Sequence, residues 1–279
     1  MTERKPWIAT IDVAAMQQLQ EFVRTQNLTR LLVVADSNTW QAQGEAVAVA
    51  LRALAGIDVR TLILPGEEVV AGAEQVYNVL IALGEDREKG ETTLVSVGSG
   101  TITDIVRFVA HRSGREFISI PTAPSVDAYV SVGAPMIVNG VKVTYNTMAP
   151  IAVFADPRTL AAAPRPMIAA GFGDMIAKFT AVADFRMASL IRDEMFDPVI
   201  ADRMLATAQA CADSVEAIGA ASEAGVTGLL QSLYDSGWCM VDFGNSRPAS
   251  GTEHHYSHFW EMMLLQEGRP PVLHGAKTG

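Results

Sequence analysis

The chain has 279 residues, 49% of them hydrophobic and 19% charged, and carries a net charge of −10 at pH 7. This length and composition predict a globular protein with a large core divided into two domains. The acidic balance argues against nucleic-acid binding, because no basic run exists to neutralise phosphates. No apolar run approaches the ~18 residues of a membrane span, and no signal-peptide pattern opens the chain, so a cytoplasmic protein is expected.

The first half alternates short β-branched runs with helix-like segments, which is typical of a parallel sheet with crossover helices. Residues 41–55 and 102–111 are predicted to be helices. Asn139-Gly140 is the strongest short hairpin signal, and it predicts two antiparallel strands within residues 135–144. The predicted strands of the parallel sheet are residues 31–35, 59–64, 93–97, 117–120 and 151–155.

After Asp156-Pro157 the sequence is rich in alanine with helical spacing, and few strand signals appear before Met240. This predicts a second, helical domain. Paired prolines at 164 and 166 place the join there, because a proline ends one element before another begins. We therefore predict an α/β domain over residues 1–162 and a helical domain over residues 163–279. The two cysteines, Cys211 and Cys239, lack redox or zinc spacing and are expected to be buried thiols.

Two turns that follow predicted strands carry glycines, hydroxyls and carboxylates. Glycines in the first turn let backbone amides approach a pyrophosphate, and the helix N-terminus that follows supplies partial positive charge. Ligands of open parallel sheets bind at the carboxyl ends of the strands, so the pair of turns favours a nucleotide cofactor over simple tight turns. The residues concerned are Gly98, Ser99, Gly100, Thr101 and Asp104 in the first turn, and Thr122, Ser125 and Asp127 in the second.

Asp36 follows the first predicted strand and is placed to accept bonds from a ribose diol. Its charge would repel a 2′-phosphate, which favours NAD over NADP. The alternative is that Asp36-Ser37-Asn38 only forms a turn or caps a helix.

Four of the five histidines lie in the last 26 residues. Imidazoles and one carboxylate are donors that a borderline divalent ion such as zinc takes, and three protein ligands leave a position open for catalysis. We predict Asp174, His254 and His274 as the ligands, with zinc as the metal and nickel or iron as alternatives. His258 lies four residues beyond His254 on the same helix face and is assigned to substrate or proton handling. His255 is expected at the surface.

The start of the helix that carries His254 is also predicted from the sequence. Ser250 and Glu253 have the spacing of a capping box, in which the two side chains bond reciprocally to backbone amides at a helix N-terminus. The helix is therefore expected to begin at Ser250.

Five collinear segments between residues 98 and 275 together resemble the sn-glycerol-1-phosphate dehydrogenases. The segments are Gly98–Asp104, Phe117–Asp127, Gly171–Lys178, Ser250–His258 and His274-Gly275. That family belongs to the dehydroquinate synthase-like superfamily, with glycerol dehydrogenase and the iron-containing alcohol dehydrogenases. The resemblance implies a Rossmann-like N-terminal domain, an all-helical C-terminal domain, a divalent metal, and NAD(P)-dependent interconversion of dihydroxyacetone phosphate and sn-glycerol 1-phosphate.

Residue roles carry over position by position. Asp174, His254 and His274 match the metal ligands of the family, and Asp127, Asp174 and His258 match its substrate contacts. The segments 100–104 and 122–125, with Ser131, match its nucleotide contacts. Lys142 and Arg247 are predicted to bind the substrate phosphate, which needs local cations in an acidic protein.

A homo-oligomer is also expected. Relatives continue through further helices after the residue that matches His274, so the helical domain is expected to be short and the activity of the 279-residue chain stays open. Two alternatives remain: a glycerol dehydrogenase that acts on unphosphorylated glycerol, and a catalytically impaired member that only binds nucleotide.

Overall fold

The computed structural model describes residues 8–66, 68–84, 92–269 and 272–279. Six parallel strands form one sheet in the order β1-β8-β5-β4-β2-β3, and β6 and β7 form a separate antiparallel pair. The strands are β1 Ile8–Ile11, β2 Arg30–Asp36, β3 Asp58–Leu64, β4 Thr92–Gly98, β5 Phe117–Pro121, β6 Gly133–Val138, β7 Val141–Asn146 and β8 Ala152–Ala155.

Helices and loops connect these strands and make up the rest of the described chain. A π-helical stretch, Trp40–Gly44, joins α2 to α3, and Asp127–Val130 form a 3₁₀ turn. The helices are α1 Ala15–Thr25, α2 Ser37–Thr39, α3 Glu45–Arg52, α4 Ala73–Leu83, α5 Gly100–Ser113, α6 Pro157–Ala161, α7 Arg165–Ile176, α8 Lys178–Arg192, α9 Pro198–Asp213, α10 Val215–Gly219, α11 Glu223–Phe243, α12 Thr252–Gln266 and α13 Gly275–Thr278.

Both faces of the central strands of the sheet are buried, as is typical of a parallel sheet. Along β2, Leu31 and Val33 pack toward α1 and α3, whereas Leu32 and Val34 pack toward α4 and α5. This alternation follows from the two-residue period of a strand, and it explains why β2 is a continuous apolar run in the sequence. The run of apolar residues in the sequence therefore indicated a strand that is buried on both faces.

The five predicted strands of the parallel sheet are confirmed to within one residue at each end. The prediction missed β1, an edge strand of four residues that pairs only with β8, because so short a run shows no pattern of its own. The first predicted helix begins earlier than expected, at Ser37, because the Asp36 carboxylate caps it. The second extends to Ser113 and ends at Gly114 in the left-handed conformation, with φ 68°.

The predicted hairpin is confirmed as β6 and β7, in full antiparallel register from Gly133↔Asn146 to Val138↔Val141. Asn139 and Gly140 occupy its turn with φ of 51° and 75°. Two positive φ values in a two-residue turn match the right-handed twist of the strands, and asparagine followed by glycine adopts them most readily.

From α6 onward the described residues form helices joined by loops and contain no strand, which confirms the predicted fold class: an α/β parallel-sheet domain followed by an all-helical domain. The two parts share a core, in which Val153 and Ala155 of β8 pack with Ile168 of α7 and Leu229 of α11. The boundary at residue 162 stays a prediction. Cys211 and Cys239 are buried and free, as expected. None of the helices in the described ranges is long and apolar enough to cross a membrane.

Candidate active site

A cavity lies where the carboxyl ends of β4 and β5 face the helical half. It brings together most of the residues predicted from both halves of the sequence. From the sheet side it is lined by Ser99, Gly100, Thr101, Asp104, Ser125, Asp127 and Ser131, from the β6–β7 hairpin by Lys142, and from the helical side by His254, His258 and His274.

Two glycines allow close backbone contacts beside this cavity, one between the two halves and one within the helical half. A Cβ at Gly171 in α7 would collide with the carbonyl of Pro124, in the turn that leads from β5 to Asp127. A Cβ at Gly275 would collide with the carbonyl of Ala170. Only glycine permits these approaches. His274 lines the cavity, whereas Asp174 is fully buried and lies next to His254, which lines the cavity.

Asp174, His254 and His274 converge as the predicted metal ligands require. Each offers one ligand atom, and the three atoms lie within 4.8 Å of one another. His254 Nε2 lies 3.6 Å from Asp174 Oδ1. Asp174 and His254 are buried and His274 is half-buried. This donor set, two imidazole nitrogens and one carboxylate oxygen, suits a borderline divalent ion.

The other ring nitrogens of both histidines have partners behind the site. Glu253 Oε1 lies 2.6 Å from His254 Nδ1, and Ser257 Oγ lies 3.4 Å from His274 Nδ1. Partners of this kind fix the ring orientation and leave Nε2 available to a metal. Sequence reasoning missed this role of Glu253, although its position beside His254 was a signal.

Lys178 is the second residue that the sequence reasoning missed. Its side chain is fully buried, and its ammonium lies 2.8 Å from Asp127 Oδ2 and 2.8 Å from Asp174 Oδ1. Burial alone would lower the pKa of Lys178, but the two carboxylates outweigh it and raise that pKa. Burial alone would likewise raise the pKa of Asp174, yet Lys178 and His254 hold it well below its usual range. Asp174 is therefore ionised.

His258 lies beside the cluster rather than within it. Its ring centroid is 5.8 Å from that of His274. Burial and the nearby charge of Lys142 lower the pKa of His258 to about 4. At neutral pH its imidazole is therefore uncharged and can both donate and accept a proton.

On the sheet side, Asp104 forms a buried ion pair with Arg107, with 3.0 Å between Oδ1 and Nη1. Burial raises the pKa of Asp104 to about 7 despite this partner. Arg107 also donates to the carbonyl groups of Gly133 and Ala128. The pair thus connects α5 to the segment that carries Asp127 and Ser131.

Three predicted nucleotide residues, Gly98, Thr122 and Asp36, are not among the residues that line the cavity. The Thr122 amide donates to the Gly98 carbonyl at 3.2 Å, which joins the ends of β4 and β5. Asp36 accepts a bond from the Thr39 amide at 2.7 Å and so caps α2, the alternative considered above. Its contact with a ribose stays a prediction.

Of the two cations predicted for a phosphate, Lys142 lines the cavity and Arg247 does not. Lys142 Nζ lies 2.8 Å from Glu261 Oε2, which also binds Lys277 at 2.8 Å. Arg247 Nε donates to Glu194 at 2.8 Å. His255 is exposed, as expected.

The predicted capping box is wrong by one residue. Gly251, not Ser250, is the N-cap of α12, and it makes no side-chain cap bond. The Asp184 carboxylate of α8 accepts the Thr252 amide at 2.7 Å, and Glu253 accepts the Gly251 amide at 2.9 Å. A carboxylate from another helix thus replaces the local serine, which the sequence spacing could not reveal.

Comparison with known proteins shows which chains this sequence is similar to. A glycerol-1-phosphate dehydrogenase [NAD(P)+] of Halalkalibacterium halodurans is 41% identical over 95% of this chain and 66% of its own length. One from Bacillus velezensis is 42% identical over 96% of this chain and 68% of its own length. The chain thus spans about two thirds of the length of these curated relatives.

The fold is shared with solved structures. A probable glycerol dehydrogenase from Sinorhizobium meliloti 1021 superposes with a TM-score of 0.74 over 100% of this chain and 76% of its own, at 21% identity. Residues 10–164 match the family model described as iron-containing alcohol dehydrogenase. The chain therefore belongs to the iron-containing alcohol dehydrogenase family.

Proposed function

We propose that this chain is a metal-dependent oxidoreductase that interconverts dihydroxyacetone phosphate and sn-glycerol 1-phosphate with NAD(P)H. One observation carries the proposal: Asp174 converges with His254 and His274, and these two histidines line the same cavity as the glycine-containing turn between β4 and α5. The relatives at about 41% identity, which are named for that activity, support the choice of substrate.

Asp174, His254 and His274 would hold a divalent ion, and we propose zinc. The second nitrogen of each histidine already has a partner, so both Nε2 atoms and one carboxylate oxygen remain as donors. When bound, the ion would supply Lewis-acid stabilisation of negative charge on the substrate oxygen, and the reduced nicotinamide would supply the hydride. Nickel and iron are the alternatives for the ion.

The turn between β4 and α5 would bind the cofactor. Ser99 precedes the first turn of α5, so the backbone amides at this helix N-terminus would contact the pyrophosphate. Thr101, Asp104, Ser125 and Ser131 line the same side of the cavity and complete the proposed nucleotide contacts. Asp36, at the end of β2, would approach the adenosine ribose and favour NAD over NADP.

Asp127 and His258 would act on the substrate. Asp127 Oδ2 is bound by Lys178 and by Ser236 Oγ at 2.8 Å, and we propose that its other oxygen accepts a bond from a substrate hydroxyl. His258, uncharged at neutral pH because its pKa lies at about 4, would relay the proton exchanged with the substrate oxygen.

Lys142 is the proposed contact for the substrate phosphate. Together with Lys277 it faces the single carboxylate of Glu261, so the three side chains carry a net positive charge beside the cavity. A phosphate can thus approach an excess of cation in a protein that is acidic overall.

A homo-oligomer is also proposed. Tyr256, Phe259 and Trp260 form an apolar stripe on α12, and each is about half exposed, at 58%, 58% and 49%. Exposed aromatic stripes at helical spacing are typical of interfaces. Light scattering coupled to gel filtration measures the mass, and a monomer would contradict this proposal.

The experiment combines metal analysis with substrate comparison. Purified protein is expected to carry about one divalent ion per chain, and to oxidise NADH with dihydroxyacetone phosphate much faster than with dihydroxyacetone. Equal rates with and without the phosphate would favour the glycerol dehydrogenase alternative. Cofactor binding without metal or turnover would favour the impaired, nucleotide-binding alternative.

A further inference from the structure

Lys178 contacts three separate segments, and each of these carries a proposed site residue. Its ammonium bonds Asp127 Oδ2 in the turn after β5, Asp174 Oδ1 in α7 and the carbonyl of Ala249 at 3.1 Å, just before α12. A fully buried lysine is rare unless it is paired, and here both partners are site carboxylates. Its location therefore calls for more than a packing explanation.

The contact with Asp174 involves the oxygen that faces His254. Asp174 Oδ2 accepts the Asp127 amide at 3.0 Å, whereas Oδ1 receives Lys178 and lies 3.6 Å from His254 Nε2. An ion bound by Asp174 and His254 would share Oδ1 with the lysine ammonium. Two cations on one carboxylate oxygen repel each other strongly where water is excluded.

We propose that Lys178 is a positioning residue that sets the charge of the Asp127–Asp174 pair, weakening the metal's binding while preserving its strength as a Lewis acid. The proposal rests on the proposed function. The ammonium of Lys178 already neutralises part of the negative charge of Asp174. That carboxylate therefore neutralises less of the positive charge of a bound ion. It also holds Asp127 in a fixed orientation toward the cavity.

The test measures zinc affinity and turnover in Lys178→Met, which keeps the length of the side chain and removes its charge. Zinc is titrated into the metal-free full chain against a competing chelator. We expect zinc to bind about tenfold more tightly or better, because a repelling cation beside the ligand is removed, while kcat at saturating zinc falls about tenfold or more. If Lys178 only supported the fold, its replacement would lower both the zinc affinity and kcat.

Two comparators isolate the charge. Ser236→Ala removes a neutral donor from the same oxygen of Asp127, and its zinc affinity is expected to match the wild type. The double variant Asp127→Asn with Lys178→Met removes one negative and one positive charge together, so its zinc affinity is expected to return close to the wild-type value. Lys178→Gln keeps a hydrogen-bond donor without the charge and serves if Lys178→Met does not fold; it should also bind zinc more tightly.

Unchanged or weaker zinc binding in Lys178→Met and Lys178→Gln, beside a wild type that binds zinc, would overturn this inference and leave the proposed function intact. A wild-type chain that binds no divalent ion would overturn both. Tighter binding with undiminished kcat would also contradict the inference, because the charge would then have no effect on the reaction.

Discussion

The two sides of the cavity are built in different ways. The sheet side takes its lining from two turns within residues 99–131, and most of these residues are small or carry a hydroxyl. The helical side takes Asp174, His254 and His274 from distant parts of the chain, and these are charged or imidazole groups that contact one another. The sheet side is therefore formed by residues close together in the sequence and should tolerate substitution, whereas the helical side depends on a few side chains held in fixed positions.

The difference predicts how each side responds to change. Removing one of three ligands should abolish function on the helical side, because no neighbour can replace it. Removing one of several contacts on the sheet side should change the affinity for NADH, or the preference for NADH over NADPH, only modestly.

His274→Ala should abolish metal binding, because the two remaining donors hold a divalent ion poorly. Metal content after dialysis is expected to fall below about a tenth of the wild-type value, and His254→Ala should behave likewise. NADH affinity, measured by fluorescence, should stay close to wild type if the two sides are independent. His255 is next to His254 on α12 but is exposed, so His255→Ala is the control and should keep its metal. A parallel loss of NADH binding would contradict the separation.

His258→Ala should keep the metal and lose turnover. The imidazole lies beside His274 but outside the ligand cluster, so its removal takes away the proposed proton relay alone. Loss of a general acid or base typically slows turnover by about 100-fold or more. Metal analysis and kcat are measured on the same preparation. A metal-free His258→Ala protein would show that the assignment of roles is wrong.

Gly275→Ala should destabilise the protein, because the new Cβ would collide with the carbonyl and Cα of Ala170. Overpacking of this kind lowers the free energy of unfolding by about 1–3 kcal/mol, measured by urea denaturation. Gly228→Ala is the matched control: it lies in α11 with open space around it, so the better helix propensity of alanine should raise stability by up to about 1 kcal/mol. Equal stability of the two variants would refute the close contact.

Asp36→Ser should narrow the preference for NADH over NADPH. It removes the charge that would repel a 2′-phosphate, yet serine still caps α2 well. The change expected for one exposed charge is about 1 kcal/mol, or roughly fivefold in relative kcat/KM. Thr39→Ala is the control, because it breaks the reciprocal cap and keeps the charge. An unchanged preference in Asp36→Ser would leave Asp36 as a cap alone.

Local signals predicted most of the fold. Asn139-Gly140 specified the hairpin because the turn geometry depends on two residues, and β2 was visible because both of its faces are buried. The clustering of histidines near the end of the sequence indicated a metal site, and the spacing of His254 and His258 correctly placed both on one helix, α12. Features decided within one element were therefore predictable.

Contacts between distant elements were not predictable from spacing. Lys178 lies one helical turn from Asp174, but its bonds to Asp127 and the Ala249 carbonyl join segments far apart in the chain. The cap of α12 likewise comes from Asp184 of another helix, so the local serine was a misleading signal. Such pairings depend on tertiary packing, which a single sequence does not encode in its periodicity.

Backbone contact between α7 and the turn after β5 limits how the cavity can open. Gly171 lies against the Pro124 carbonyl, and Asp174 accepts the Asp127 amide, so these segments move as one body. The β6–β7 hairpin meets α12 through that helix's side chains instead, with Lys142 bound to Glu261. Side chains change rotamer far faster than packed backbones rearrange. Substrate and product are therefore expected to pass beneath the hairpin, at a rate governed by the parting of the Lys142–Glu261 ion pair and of the Lys142 amide from Met262 Sδ, rather than by rotation of whole domains.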